Sequence, residues 1–80
     1  MENLEKYNAV FMDVFEVEAT SLNESFTSLN VDNWDSISQL HLVSSIEDTF
    51  DIMFDTEDIL EFKSFEKGKI ILKKYDIVLE

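Results

Sequence analysis

The side chains able to carry chemistry are few. The chain has one histidine, His41, and no cysteine, so zinc chelation and thiolate catalysis lack their groups. His41 falls on the outward side of a helical stretch and reads as a surface histidine rather than a base. Asp48, Asp51, Asp55 and Asp58 suggest a calcium loop by composition only. An EF-hand needs a glycine at its tight turn and ligands at fixed alternating positions, and the sole glycine is Gly68. The same lack of glycine excludes a phosphate-cradling loop.

What remains is a serine. In Asn33-Trp34-Asp35-Ser36-Ile37, Ser36 stands where a helix is expected to begin. Ser36-Ile37-Ser38-Gln39 reads as a capping box, with Ser36 as the cap. A phosphate attached to such a serine would face free N–H groups at the positive end of the helix dipole.

The elements that position this junction are helical. Leu4, Tyr7, Phe11, Val14 and Phe15 recur at three- and four-residue spacing, one face of a first helix with Asn3 as its expected cap. From about Glu18 to Asn33 the pattern dissolves among Thr20, Ser21, Asn23, Ser25, Thr27, Ser28 and Asn30, which compete with helix by bonding their own backbone. Val17, Leu22, Phe26, Leu29 and Val31 punctuate that segment, which predicts a long loop pinned across the core. A second helix runs from Ser36 to Phe50, with Gln39, Leu42, Val43, Ile46 and Phe50 on its inner side. Met53-Phe54 follows it and is too apolar for a simple solvent loop.

A short helix fits Thr56 to Glu61, capped by Asp55 or Thr56, with acids in its first turn. Ser64 caps a last helix through about Tyr75, in which Phe65, Ile71, Leu72 and Tyr75 face inward. Gly68 within it costs roughly 1 kcal/mol relative to alanine, which suggests a close helix contact. The expected architecture is all-α, a small antiparallel four-helix bundle of three long helices and one short, with residues 1–80 as one domain.

Charge narrows the functions. Eighteen acids stand against six lysines, with no arginine, for a net −12. That field has the wrong sign for a nucleic-acid binder and repels anionic membranes. No apolar run is long enough to span a bilayer and no cationic leader with an apolar core opens the chain, which predicts a cytoplasmic domain without membrane insertion, and a monomer is expected. Nine acids and no lysine lie between Asp32 and Glu61, whereas Lys63, Lys67, Lys69, Lys73 and Lys74 crowd the last helix region. Ile37 and Leu40 accompany His41, Ser44 and Asp48 on the outward side of the second helix. Exposed apolar residues ringed by acids suit a basic partner.

From Trp34 through Phe50, the segment Trp-Asp-Ser-Ile-Ser-Gln-Leu-His-Leu-Val-Ser-Ser-Ile-Glu-Asp-Thr-Phe closely resembles the acyl carrier proteins. Their signature is Asp-Ser followed by leucine, isoleucine or methionine, then an amphipathic helix ending in acids and phenylalanine. The likeness covers essentially the whole chain in helix order, long first loop, short third helix and length. Asn33 stands where the family often has glycine, and Trp34 where a small residue is usual, as in carriers of specialised or cell-surface pathways. His41 replaces a common acid, and Met53-Phe54 a frequent proline.

The resemblance implies that Ser36 carries 4′-phosphopantetheine through a phosphodiester and that Asp35 helps a phosphopantetheinyl transferase position metal and substrate. The arm would hold an acyl or aminoacyl group as a thioester, so the thiol belongs to the cofactor and the domain itself catalyses nothing. Ile37, Leu40, His41, Glu47, Asp48, Glu57 and Asp58 would dock the transferase, an acyl- or aminoacyl-loading ligase and an acyltransferase or synthase of lipid or secondary-metabolite biosynthesis. The competing expectation is an acidic helical protein-interaction module, never pantetheinylated, that uses the same face.

Overall fold

The computed structural model describes residues 2–79. Four α-helices follow one another: α1 Glu2–Phe15, α2 Ser36–Phe50, α3 Thr56–Glu61 and α4 Phe65–Lys74. A single 3₁₀ turn, Ala19–Ser21, interrupts the long α1–α2 connection. Among the described residues no β-strand forms, so the fold is all-α, and no helix is long and apolar enough to cross a membrane. The bounds of α2 coincide with those read from periodicity, and the bounds of α3 with those read from its cap and first-turn acids. α1 does not use Asn3 as its cap: Asn3 lies inside the helix, and its Nδ2 donates to the Val78 carbonyl, tying the C-terminal segment to α1.

The core is largely aromatic. Tyr7, Phe11 and Phe15 follow at four-residue steps on α1, so their rings stack along one face. Phe11 is fully buried, with Tyr7, Phe15, Phe26, Trp34, Phe62 and Phe65 around it at centroid distances of 5.0 to 6.2 Å. Such pairs favour edge-to-face and offset geometries and add about 0.5–1.5 kcal/mol beyond area burial. Leu42, Val43 and Ile46 of α2 and Ile71 and Leu72 of α4 complete the core.

The long loop is held rather than free. Thr27 and Ser64 form an antiparallel bridge: the Phe65 N–H donates to the Phe26 carbonyl at 2.9 Å, and the Ser28 N–H to the Lys63 carbonyl at 2.8 Å. Phe26 is thereby driven into the core, with Val17, Leu22 and Val31 half-buried against it. Polar side chains shape the intervening turns, as Asn23 Oδ1 accepts from the Ser25 N–H and Thr27 Oγ1 from the Asn30 N–H. Leu29 departs from the expected inward set and is 94% exposed. It sits in the turn closed by Asn30 and Val31 N–H groups on the Thr27 carbonyl, which carries its side chain off the core.

Three helices stop by one device. Glu16, Asp51 and Asp76, just past α1, α2 and α4, adopt left-handed conformations with φ of 54°, 56° and 64°. The next residue in each case, Val17, Ile52 or Ile77, donates its N–H five residues back, to the carbonyls of Met12, Glu47 and Leu72. This Schellman geometry satisfies orphan carbonyls, and the half-buried aliphatic residue after it seals the end against the core. Glycine is the usual occupant of the left-handed position, because a Cβ there is strained. This chain uses acids instead.

Its one glycine serves a different need. A Cβ on Gly68 would overlap Tyr7 Oη and the Phe62 ring. The bare backbone lets α4 settle against α1, where buried Tyr7 Oη donates to the Phe65 carbonyl at 2.6 Å. Burial pushes the Tyr7 phenol well above its ordinary pKa, so the hydroxyl stays protonated and keeps donating.

One acid is also internal. Asp58 is 3% exposed and takes Lys74 Nζ on one oxygen and Tyr75 Oη on the other, both at 2.6 Å. Tyr75 Oη accepts in turn from the Asp55 N–H at 2.9 Å, so the group fastens α3 to the end of α4. The bonds from Lys74 and then Tyr75 hold the Asp58 carboxyl below its usual pKa. Asp55 caps α3 by position, with no side-chain bond to the helix, whereas Ser64 caps α4 through the Lys67 N–H.

Gly68→Ala should destabilise by about 1–3 kcal/mol through overpacking, despite alanine's better helix propensity. Asp76→Gly should stabilise by roughly 0.5–1 kcal/mol by relieving left-handed strain. Urea denaturation of both variants checks the pair, and equal midpoints would contradict it. For pH, the lowered folded pKa of Asp58 means its contribution is whole above the unfolded carboxylate value near 3.8 and is lost as pH falls through the folded value. Tyr75→Phe removes one of the bonds that lower it. The variant should lose about 1–3 kcal/mol at neutral pH, and its deficit should shrink below about pH 4, as measured by thermal melts.

Candidate functional site

The Ser36 junction is built from the backbone outward. Asp35, not Ser36, caps α2: its backbone is extended, and its Oδ1 accepts the Ser38 N–H at 2.9 Å. Two cap-competent residues stand side by side here, and the earlier one takes the role, which displaces the capping box expected from Ser36. Ser38 Oγ returns a bond to the Asn33 carbonyl at 2.8 Å, closing the turn before the helix. The Ser38 N–H, foremost, holds the Asp35 carboxyl below its ordinary pKa, so it remains a carboxylate at neutral pH. Ser36 is thereby released from capping and stands exposed in the first turn of α2.

Behind it lies a polar stitch. Buried Trp34 donates from Nε1 to Gln39 Oε1 at 2.6 Å. Gln39 Nε2 donates to the Ile59 and Phe62 carbonyls, at 2.9 and 2.8 Å. One amide thus joins the start of α2, the indole and the end of α3, supplying donors to carbonyls at a short helix's C-terminus. A groove of about 540 Å³ opens beside Ser36, with Trp34, Gln39 and Ile59 among its lining and Leu40, Leu60, Ser28 and Lys63 also contributing.

The expected docking residues divide into two groups. Ile37 is 79% exposed, and Leu40, His41, Asp48 and Glu57 are also exposed, so these five offer side chains to a visitor. Asp58 does not fit that role, because it faces inward onto Lys74 and Tyr75. Glu47 is half-buried and structural in part: its Oε2 accepts the Phe54 N–H at 2.8 Å, holding the loop after α2 while Phe54 packs beneath. Met53, beside Phe54, points outward.

Sequence reasoning missed Leu60 and Lys63, which line the groove opposite the start of α2. Leu60 carried a signal, since Asp58 and Phe62 are buried and Leu60 lies between them on the other side of the short helix. Lys63 carried one too, as the first cation after a thirty-residue stretch with nine acids and no lysine. Gln39 lies on the inner side as its spacing predicts, but its two acceptors, the Ile59 and Phe62 carbonyls, lie 20 and 23 residues away and leave no local trace.

The site therefore combines an exposed serine, an ionised aspartate that fixes the helix start, a groove with apolar and polar walls, and an outward rim of Ile37, Leu40 and Leu60 with acids nearby. Set against protein-family models, curated proteins and solved structures, the chain gives no match to any of them.

Proposed function

We propose that the chain is an acyl carrier protein, modified at Ser36 with 4′-phosphopantetheine and holding an acyl or aminoacyl group as a thioester. The observation that carries this reading is the exposed Ser36, set in the first turn of α2 by the Asp35 cap and opening onto a groove. A phosphodiester there lies at the positive end of a 15-residue helix. The helices are read as an antiparallel bundle, and the domain as a cytoplasmic monomer that catalyses nothing itself. Asp35 assists the transferase that installs the arm, and loading ligases and acyltransferases or synthases dock on Ile37, Leu40, His41, Asp48 and Glu57.

Coexpression with a broad-specificity phosphopantetheinyl transferase should add one phosphopantetheine mass to the chain and none to Ser36→Ala. Because Asp35 retains the cap, Ser36→Ala should change stability by no more than about 0.5 kcal/mol. A wild type that gains no mass under conditions that load a control carrier leaves the acidic interaction module as the reading of this surface.

Electrostatic steering supplies the second test. Asp48→Lys with Glu57→Lys reverses two exposed charges and spares Glu47 and Asp58, which hold the fold. The kcat/KM of the transferase for this double variant should fall roughly tenfold at low ionic strength and lose most of its salt dependence. Equal values for variant and wild type would remove these acids from the docking face.

A further inference from the structure

Resting on the carrier reading, we infer that Gln39 bars an attached acyl chain from the core, so that the cargo is a short or polar acyl group, aminoacyl groups included. An acyl chain in water gains by burying its methylenes, each of which favours a buried state by roughly fourfold. The nearest core to Ser36 lies behind the groove, through the seam between α2 and α3. That seam is bolted. Gln39 Nε2 bridges to the carbonyls of Ile59 and Phe62, and Gln39 Oε1 takes the Trp34 indole N–H. The Gln39 side chain thus spans the passage that an entering chain would need.

Opening the seam breaks those three bonds and exposes the carbonyls at the end of α3 to an apolar chain that cannot replace the donors. Unmet buried acceptors of this kind are costly. Beyond the seam the space is filled, since Phe62 lies 6.2 Å from Phe11 and 5.9 Å from Phe54, and Trp34 lies 4.9 Å from Phe15. Admitting an alkyl chain means parting these rings, and the Gln39 bonds to the Ile59 and Phe62 carbonyls hold that side of the close-packed interior in place. The groove outside is different. Ile59 and Leu60 give it an apolar wall, and Ser28 and Lys63 give it hydroxyl and ammonium donors for a carbonyl or other polar group. A short cargo meets its needs there without entering the fold.

The test loads the chain from acetyl-, hexanoyl- and decanoyl-coenzyme A with a permissive transferase. In that step Ser36 Oγ attacks the pantetheine-bearing phosphorus of the pyrophosphate, its proton goes to the transferase's base, and adenosine 3′,5′-bisphosphate leaves. Intact mass first verifies each product. Thioester cleavage by hydroxylamine is then timed, together with the melting temperature of each form. The three thioesters should be cleaved at rates within about twofold of one another, with equal melting temperatures, because no methylene is hidden. Decanoyl protection of tenfold or more, with a melting temperature that climbs with chain length, would overturn the inference while leaving the carrier reading intact. Failure to load any of the three would overturn the carrier reading, and the cargo inference with it.

Gln39→Met keeps the length of the side chain and removes its donors and acceptor. Folded Gln39→Met, checked by its circular dichroism and melt, should begin to protect decanoyl but not acetyl. If the variant stays as indifferent to length as the wild type, Gln39 is not the barrier.

Discussion

A single phenyl ring sets the terms for the rest of the fold. Phe11 is reached by rings from α1, from Phe26 in the long loop, from Trp34 just before α2, from Phe62 just after α3 and from Phe65 of α4, so these segments must arrive at one point. Removing a buried phenylalanine costs about 3–5 kcal/mol, against a total stability of about 5–15 kcal/mol for a typical domain. In eighty residues there is little other core to absorb such a loss. The loop between α1 and α2 can therefore be long only because Phe26 near its middle and Trp34 at its end anchor it to that ring.

Polar stitches then fix what hydrophobic packing leaves free. Tyr7 to the Phe65 carbonyl, Gln39 to Ile59 and Phe62, and Asp58 to Lys74 and Tyr75 each join elements far apart in sequence. Packing is tolerant of sliding, whereas these bonds have a definite geometry and leave buried groups unmet if the register slips. Two of the three stitches involve α3 or its end. A helix of six residues cannot hold itself together in water, so its place depends on Gln39 and on the Asp58 group.

The helices were legible in the sequence because their signals are local. Periodicity marked α2, a cap and first-turn acids marked α3, Ser64 announced α4, and Gly68 foretold a close approach that Tyr7 and Phe62 make. The exposed rim at Ile37 and Leu40 followed from the same periodicity. What escaped depends on partners at a distance. Nothing near Asp58 reveals that Lys74 and Tyr75 will enclose it, and Leu29 alternates with its apolar neighbours as if it were inward. Local rules gave the cap to Ser36, whereas Asp35 beside it takes the role. The choice between them decided which side chain was left in the open, and the site depends on it.

The indole at the floor of the groove has an optical consequence. Trp34 is the chain's only tryptophan, packed against Phe15 and Phe26 and bonded to Gln39. Its emission therefore reports a single address, two positions from Ser36. Because the indole is amphipathic, its fluorescence responds both to the water around it and to the partner on its N–H. Selective excitation of Trp34 thus turns the native chain into its own label for occupancy of the groove. No dye has to be attached, and no cysteine introduced to carry one.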